Sequence, residues 1–185
     1  MEGRIYKIYG LVLSLAMCFW SCTEEIDLNQ AEDLELSPVI ENSLLFFDAP
    51  ATNFFAGANE SSEFSDFIEL DLFNNSFTRN NIVKVEFVFD VLNSIKRSFE
   101  LQVDLLDDLD QTVHTFSFEA LASPDASQVY TKYTEVFEGN RLRVLMNANK
   151  LSFTLIVQEG EAINENTLGQ INMKSKSVFY FNIND

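Results

Sequence analysis

Between Ile82 and Leu92 the chain reads IVKVEFVFDVL, and its apolar residues recur at every second position. Val83, Val85, Phe87, Phe89 and Val91 share one parity, while Lys84, Glu86 and Asp90 share the other. A strand with one face on a core and the other in water has this period, because successive side chains leave the pleat on opposite sides. SFELQVDLL repeats it, with Phe99, Leu101, Val103 and Leu105 against Glu100, Gln102 and Asp104. KLSFTLIVQ repeats it again, with Leu151, Phe153, Leu155 and Val157 against Ser152, Thr154 and Ile156. Half-buried strands of this kind build antiparallel sheets, whereas strands buried in a parallel sheet are apolar throughout.

Five weaker segments have the same character: SLLFFD (43–48), FIELDLF (67–73), TVHTFSFEA (112–120), QVYTKYTEVF (128–137) and SVFYFNI (177–183). DDLDQ (107–111) is a turn between two of them. GNRLRVLMNANK (139–150) breaks the period, placing Leu142, Leu145 and Met146 at helical spacing with Val144 off that face, and predicts a short connecting helix. About eight strands joined by polar turns predict an all-β fold, an antiparallel β-sandwich over residues 38–185, with a closed barrel as the alternative. The 18 phenylalanines supply much of its core, each worth about 1.5–3 kcal/mol when buried.

The start of the chain obeys other rules. MEGRIYK carries Arg4 and Lys7, and the thirteen residues from Ile8 to Trp20 carry no charge. A short basic segment before an apolar run of this length has the form of an export signal. It is too short to span a bilayer, which takes about 20 residues. The run ends at Ser21-Cys22 and gives way to TEEID. This resembles the lipobox of bacterial lipoproteins, in which the signal is cut before a cysteine that then carries lipid. Two registers compete. Cys22 follows Phe19, Trp20 and Ser21; Cys18 follows Leu15, Ala16 and Met17. Small Ser21 suits the position beside the cut and bulky Met17 does not, so the resemblance favours Cys22 as the lipidated residue. Residues 1–21 are then a signal peptide that takes Cys18 with it, and 22–37 an acidic tether. Acidic residues after the lipid cysteine, within Thr23, Glu24, Glu25 and Asp27, resemble the surface-export signal of Bacteroidota-type lipoproteins. DLNQAEDLELSP (27–38) is similar to the start of a recurrent group of small lipoproteins from that phylum. The implied location is the outer membrane, facing the cell exterior.

Charge narrows the function classes. The chain has 12 basic against 29 acidic residues. Loss of residues 1–21 removes Arg4, Lys7 and Glu2 and leaves 10 against 28. Nucleic-acid binding needs clustered positive charge, and this sequence offers none. An acidic surface gains nothing from anionic headgroups, so attachment to the membrane would rest on acyl chains at Cys22. With Cys22 modified, no thiol is left for a disulfide, a nucleophile or a zinc site.

Candidates for chemistry are few. His114 is the one histidine; it shares parity with Phe116 and Phe118 and reads as a hydrogen-bonded core or rim residue. Asp104, Asp107, Asp108 and Asp110 are weak calcium candidates, since hard cations take carboxylate oxygens; they lack the alternating order and glycine of an EF-hand loop, and a solvated acidic turn is the simpler reading. No cofactor is implied. Phe54-Phe55, in PATNFFAGANE, reads either as a plug for one end of the sandwich or as an apolar contact for a partner protein. Tyr130 and Tyr133 are an odd number of positions apart and face opposite sides of a strand, which weakens a sugar-stacking platform built on both. The expectation is a non-catalytic surface lipoprotein that acts as a binding or accessory subunit with a protein partner in the envelope. A carbohydrate-binding module that takes a glycan is the alternative.

Overall fold

The computed structural model describes residues 37–56 and 59–183. Cys22, Thr23, Glu24, Glu25 and Asp27 lie outside the described residues. In chain order the elements are β1 (Val39–Pro50), a 3-10 turn (Ala51–Phe54), the two-residue strands β2 (Phe55–Ala56) and β3 (Asn59–Glu60), and β4 (Glu63–Glu69). Helix α1 (Ser76–Asn81), β5 (Ile82–Asn93), β6 (Phe99–Leu106), β7 (Thr112–Ala120) and β8 (Val129–Glu138) follow. Helix α2 (Gly139–Leu145), β9 (Lys150–Val157) and β10 (Gln170–Phe181) complete the order.

Eight of these strands form two four-stranded sheets, with orders β1-β10-β5-β8 and β4-β9-β6-β7, and every pairing is antiparallel. From β4 to β10 the chain changes sheet at every connection except the β6–β7 hairpin. This is the strand order of a jelly roll, an antiparallel β-sandwich rather than a closed barrel.

The alternating residues fill the space between the sheets. Val85, Phe87, Phe89 and Val91 of β5, Phe99, Leu101, Val103 and Leu105 of β6, and Leu151, Phe153 and Leu155 of β9 are all buried. The helix expected at 139–150 is present as α2; it buries Leu142 and Leu145 and leaves Val144 half-buried.

Two local expectations are corrected, and one helix is new. Val83 is 49 % exposed, because the β5–β10 ladder pairs Lys84 with Tyr180 and then Ile82 with Phe181. Val83 is therefore the extra residue of a bulge, and Ile82 takes the inward place. The strand placed at 67–73 runs instead from Glu63 to Glu69; Leu70 and Phe73, past its end, turn into the core. Helix α1 had no apolar period to reveal it. Its signal was the cap: the Asn75 side chain accepts a bond from the Thr78 amide at 2.7 Å.

Candidate functional site

The sandwich has two unlike ends. At one, the end of β10 lies between the starts of β1 and β5, with Pro38 accepting from the Phe181 amide and Asn81 from that of Asn182. The other gathers the loops 94–98, 121–128 and 158–169, which line a basin of about 420 Å³. Arg97 holds this end together. Its guanidinium is buried, its Nε donates to the Gln158 carbonyl at 2.9 Å, its NH1 donates to the Glu161 carbonyl, and Glu60 lies 3.2 Å away as an ion partner. Asn93 donates to the Arg97 and Leu121 carbonyls and accepts from the Ile95 amide. Ser123 donates its amide to the Ile95 carbonyl. Gly169 sits at φ +106, where an added Cβ would stand 2.5 Å from the Ser94 carbonyl oxygen, so this turn accepts only glycine. The basin walls are thus fixed by buried polar bonds, while Lys96, Glu161 and Leu168 stand exposed on its rim.

Phe54 lies beneath this end. It is fully buried and packs on Phe99 with ring centroids 4.8 Å apart, and Phe55 is half-buried against the same core. Phe54 is a plug, while Phe55 keeps part of its ring at the surface. The alternative of an exposed partner contact is corrected for Phe54, which has no surface to offer.

The acidic turn engages its own chain. The Asp107 carboxylate accepts from the Leu109 and Gln111 amides, Asp110 pairs with Lys150, and Asp104 accepts from Thr115 and Gln102. Asp104 points out from the sheet, while the other three sit in the turn between β6 and β7. Among the described residues, no three acid or histidine side chains gather as a metal site.

His114 leads to a cluster that the sequence did not announce. It lies on β7, the edge of one sheet, and meets Glu135 of β8, the edge of the other, with Nε2 3.0 Å from Oε1. Tyr133 donates its hydroxyl to the second Glu135 oxygen at 2.7 Å, and Arg141 of α2 closes on the first. Glu135 is only 6 % exposed. Burial holds His114 below its ordinary pKa, and the neighbouring Arg141 charge adds to the effect. His114 Nε2 thus faces a carboxylate whose charge Arg141 balances. Both carboxylate oxygens are committed, so the arrangement works as a clamp between two edge strands. The available signal was parity: in QVYTKYTEVF, Glu135 shares the inward side with Tyr133 and Phe137, and a carboxylate there requires partners.

No family model matches the chain, and no curated relative matches it. Among solved structures, the VP2 subviral particle of infectious bursal disease virus is similar at 10% identity and a TM-score of 0.46 over 80% of this chain. A protein of Parabacteroides distasonis provisionally named as secreted is similar at 12% identity and a TM-score of 0.43 over 63%. The enzymatically active domain of tailspike protein 4 from bacteriophage CBA120 is similar at 11% identity and a TM-score of 0.36 over 84%. This chain spans 33%, 37% and 20% of those three chains. At such identities the likeness concerns fold alone.

Proposed function

We propose that this protein is a non-catalytic, lipid-anchored cell-surface lipoprotein that serves as a binding or accessory subunit of an outer-membrane assembly. The observation that carries the reading is the run from Arg4 to Asp27: a basic start, an uncharged core, Ser21-Cys22, and the acidic TEEID. Signal peptidase would release residues 1–21, and acyl chains on Cys22 would hold the protein at the membrane. The fold suits such an anchor. Val39, where the sandwich begins, lies at the end opposite the basin of 94–98, 121–128 and 158–169. Among the described residues no helix is long and apolar enough to cross a membrane, and in this reading none is needed.

The test is metabolic labelling with a fatty-acid probe in the native host, followed by protease treatment of intact cells. Wild-type protein takes up label and is cut from outside, and Cys22→Ala loses the label. Label that survives Cys22→Ala removes the assignment. A second reading, a carbohydrate-binding module acting in polysaccharide capture, is favoured by Phe46 and Tyr130, both exposed on the outer face of the β1-β10-β5-β8 sheet.

A further inference from the structure

Among the described residues the two sheets end in four edge strands, β1 and β8 on one, β4 and β7 on the other. An edge shows a row of unpaired backbone N–H and C=O groups that another strand can take up. Three of the four carry an ionisable side chain on the inward side, where an added strand would bury it. Asp66 of β4 aligns with buried Phe153, His114 of β7 with buried Leu105, and Glu135 of β8 with buried Phe87. Inward charge of this kind guards an edge against pairing. Helix α2 also packs against β7 and β8. Strand β1 has neither guard. Its residues aligned with the buried side chains of β10 are Ile40, Asn42, Leu45, Phe47 and Ala49. It is 12 residues long and leaves Val39 53 %, Ile40 48 % and Phe46 62 % exposed.

The occupant that fits this edge is a second β1. A twofold axis lays two such strands antiparallel, and each residue must then meet one from the same side of the sheet. The ladder to β10 shifts between Ser43 and Leu45, so Leu44 is an extra residue and the inward parity changes there. A symmetric pair therefore sets 39–43 of one copy against 44–48 of the other. Ile40 then lies opposite Phe47 and Asn42 opposite Leu45 on the inner side, with Glu41 opposite Phe46 and Val39 opposite Asp48 on the outer. The other long register that keeps parity, Val39 opposite Pro50, sets Glu41 against Asp48 at both ends, and like charges directly opposite are destabilising. Charge permits the approach. The chain has 12 basic against 29 acidic residues, yet β1 and its neighbour β10 together carry only Glu41 and Asp48 against Lys174 and Lys176. Lys176 already holds Glu41. Lys174, beside Phe46 in the ladder, makes no ion pair among the described residues, and the pairing brings Glu41 of the second copy into its row.

We infer that β1 is a self-association edge, through which two copies of this chain join their four-stranded sheets into one continuous sheet about a twofold axis. Ten paired residues run about 33 Å, and one sheet with its two side-chain layers and the adjoining edge of β4 is about 18 Å deep, so each copy buries on the order of 600 Å². The total of ~1,200 Å² reaches the lower bound of stable interfaces, and a dimer is expected at micromolar concentration. The inference rests on β1 and not on the lipid, so its failure would leave the labelling of Cys22 untouched.

The experiment is sedimentation equilibrium of the full-length protein in a density-matched non-ionic detergent, across the micromolar range. Wild type is expected to pass from one chain mass to two as concentration rises. Phe46→Glu sets a carboxylate opposite Glu41 of the second copy and should weaken the dimer at least tenfold. Its circular dichroism spectrum should not change, because Phe46 is exposed. Adding Glu41→Lys to that variant places opposite charges in the same row and should restore the dimer. A monomer at every concentration overturns the proposal. So does a dimer indifferent to Phe46→Glu, as mere sharing of a micelle would give, or a double variant as weak as the single one. Capture of a different protein on β1 by a chain that stays monomeric overturns it as well.

Discussion

The sandwich has two long seams where edge strands of the two sheets face each other, and they are closed by different chemistry. On the β1 and β4 side, Phe47 stacks flat on Phe153 at 5.3 Å, and Phe64 packs on the same ring at 6.4 Å. On the β7 and β8 side, Tyr133 stacks on Phe118 at 4.6 Å and Phe116 at 5.8 Å, but its hydroxyl then enters the Glu135 clamp with His114 and Arg141. The apolar seam is held by area removed from water and by close packing, neither of which depends on pH. The polar seam is held by bonds whose strength depends on which groups carry charge. A buried carboxylate with satisfied oxygens fixes geometry more than it stabilises, and removing either side leaves orphaned partners.

The largest test of this contrast is Phe153→Ala, which empties the centre of the apolar seam and should cost about 3–5 kcal/mol in urea unfolding. A loss below about 1 kcal/mol would mean that the ring is not the keystone of that side. Glu135→Ala should cost less, about 1–3 kcal/mol, because it strands the Tyr133 hydroxyl and the His114 N–H at the other seam. Equal or greater stability in this variant would show that the polar seam is closed by its aromatic stack alone.

The smallest effect is a slope. His114 is held below its ordinary pKa by burial and by Arg141, so the folded protein binds fewer protons there than the unfolded chain. The resulting stability is fully present above the unfolded value, about 6.5, and is lost as pH falls through it toward the folded one. Melting temperatures between pH 7.5 and 5 should therefore fall for the wild type, and His114→Gln should reduce the steepness of that fall. Phe64→Leu, on the apolar side, should lower the whole curve without changing its slope. An identical slope in His114→Gln would remove the histidine from the account.

How much of this was legible in the sequence depended on whether a feature is local. Inward parity was readable wherever a strand is regular, as in β6, where Phe99, Leu101, Val103 and Leu105 are all buried. It failed at Val83 because a bulge is set by the partner strand and leaves no mark in the sequence of its own. The acidic turn was read correctly as a turn, since Asp107 caps it through bonds to residues two and four positions away. Phe54 was readable as a plug or a contact, and only packing against Phe99 decided between them. Arg97 carries no local signal of its role, because the carbonyls that bury it lie 61 and 64 residues along the chain. Tyr130 and Tyr133 do face opposite sides, as their spacing requires. The partner of Tyr130 on its own face, Phe46, could not be found from spacing, because the two lie on strands separated by β10 and β5.

Sequence by itself determined the periods: two for the strands, a helical stretch within 139–150, and an amino-terminal segment unlike either. A period needs only the geometry of the backbone and the preference of apolar side chains for one side of it. The tertiary structure decided which strands became neighbours, and with that it set the jelly-roll order, the two seams and the Glu135 clamp. Strand pairing joins residues far apart in the chain, and the free energy that selects among registers belongs to the assembled sheets.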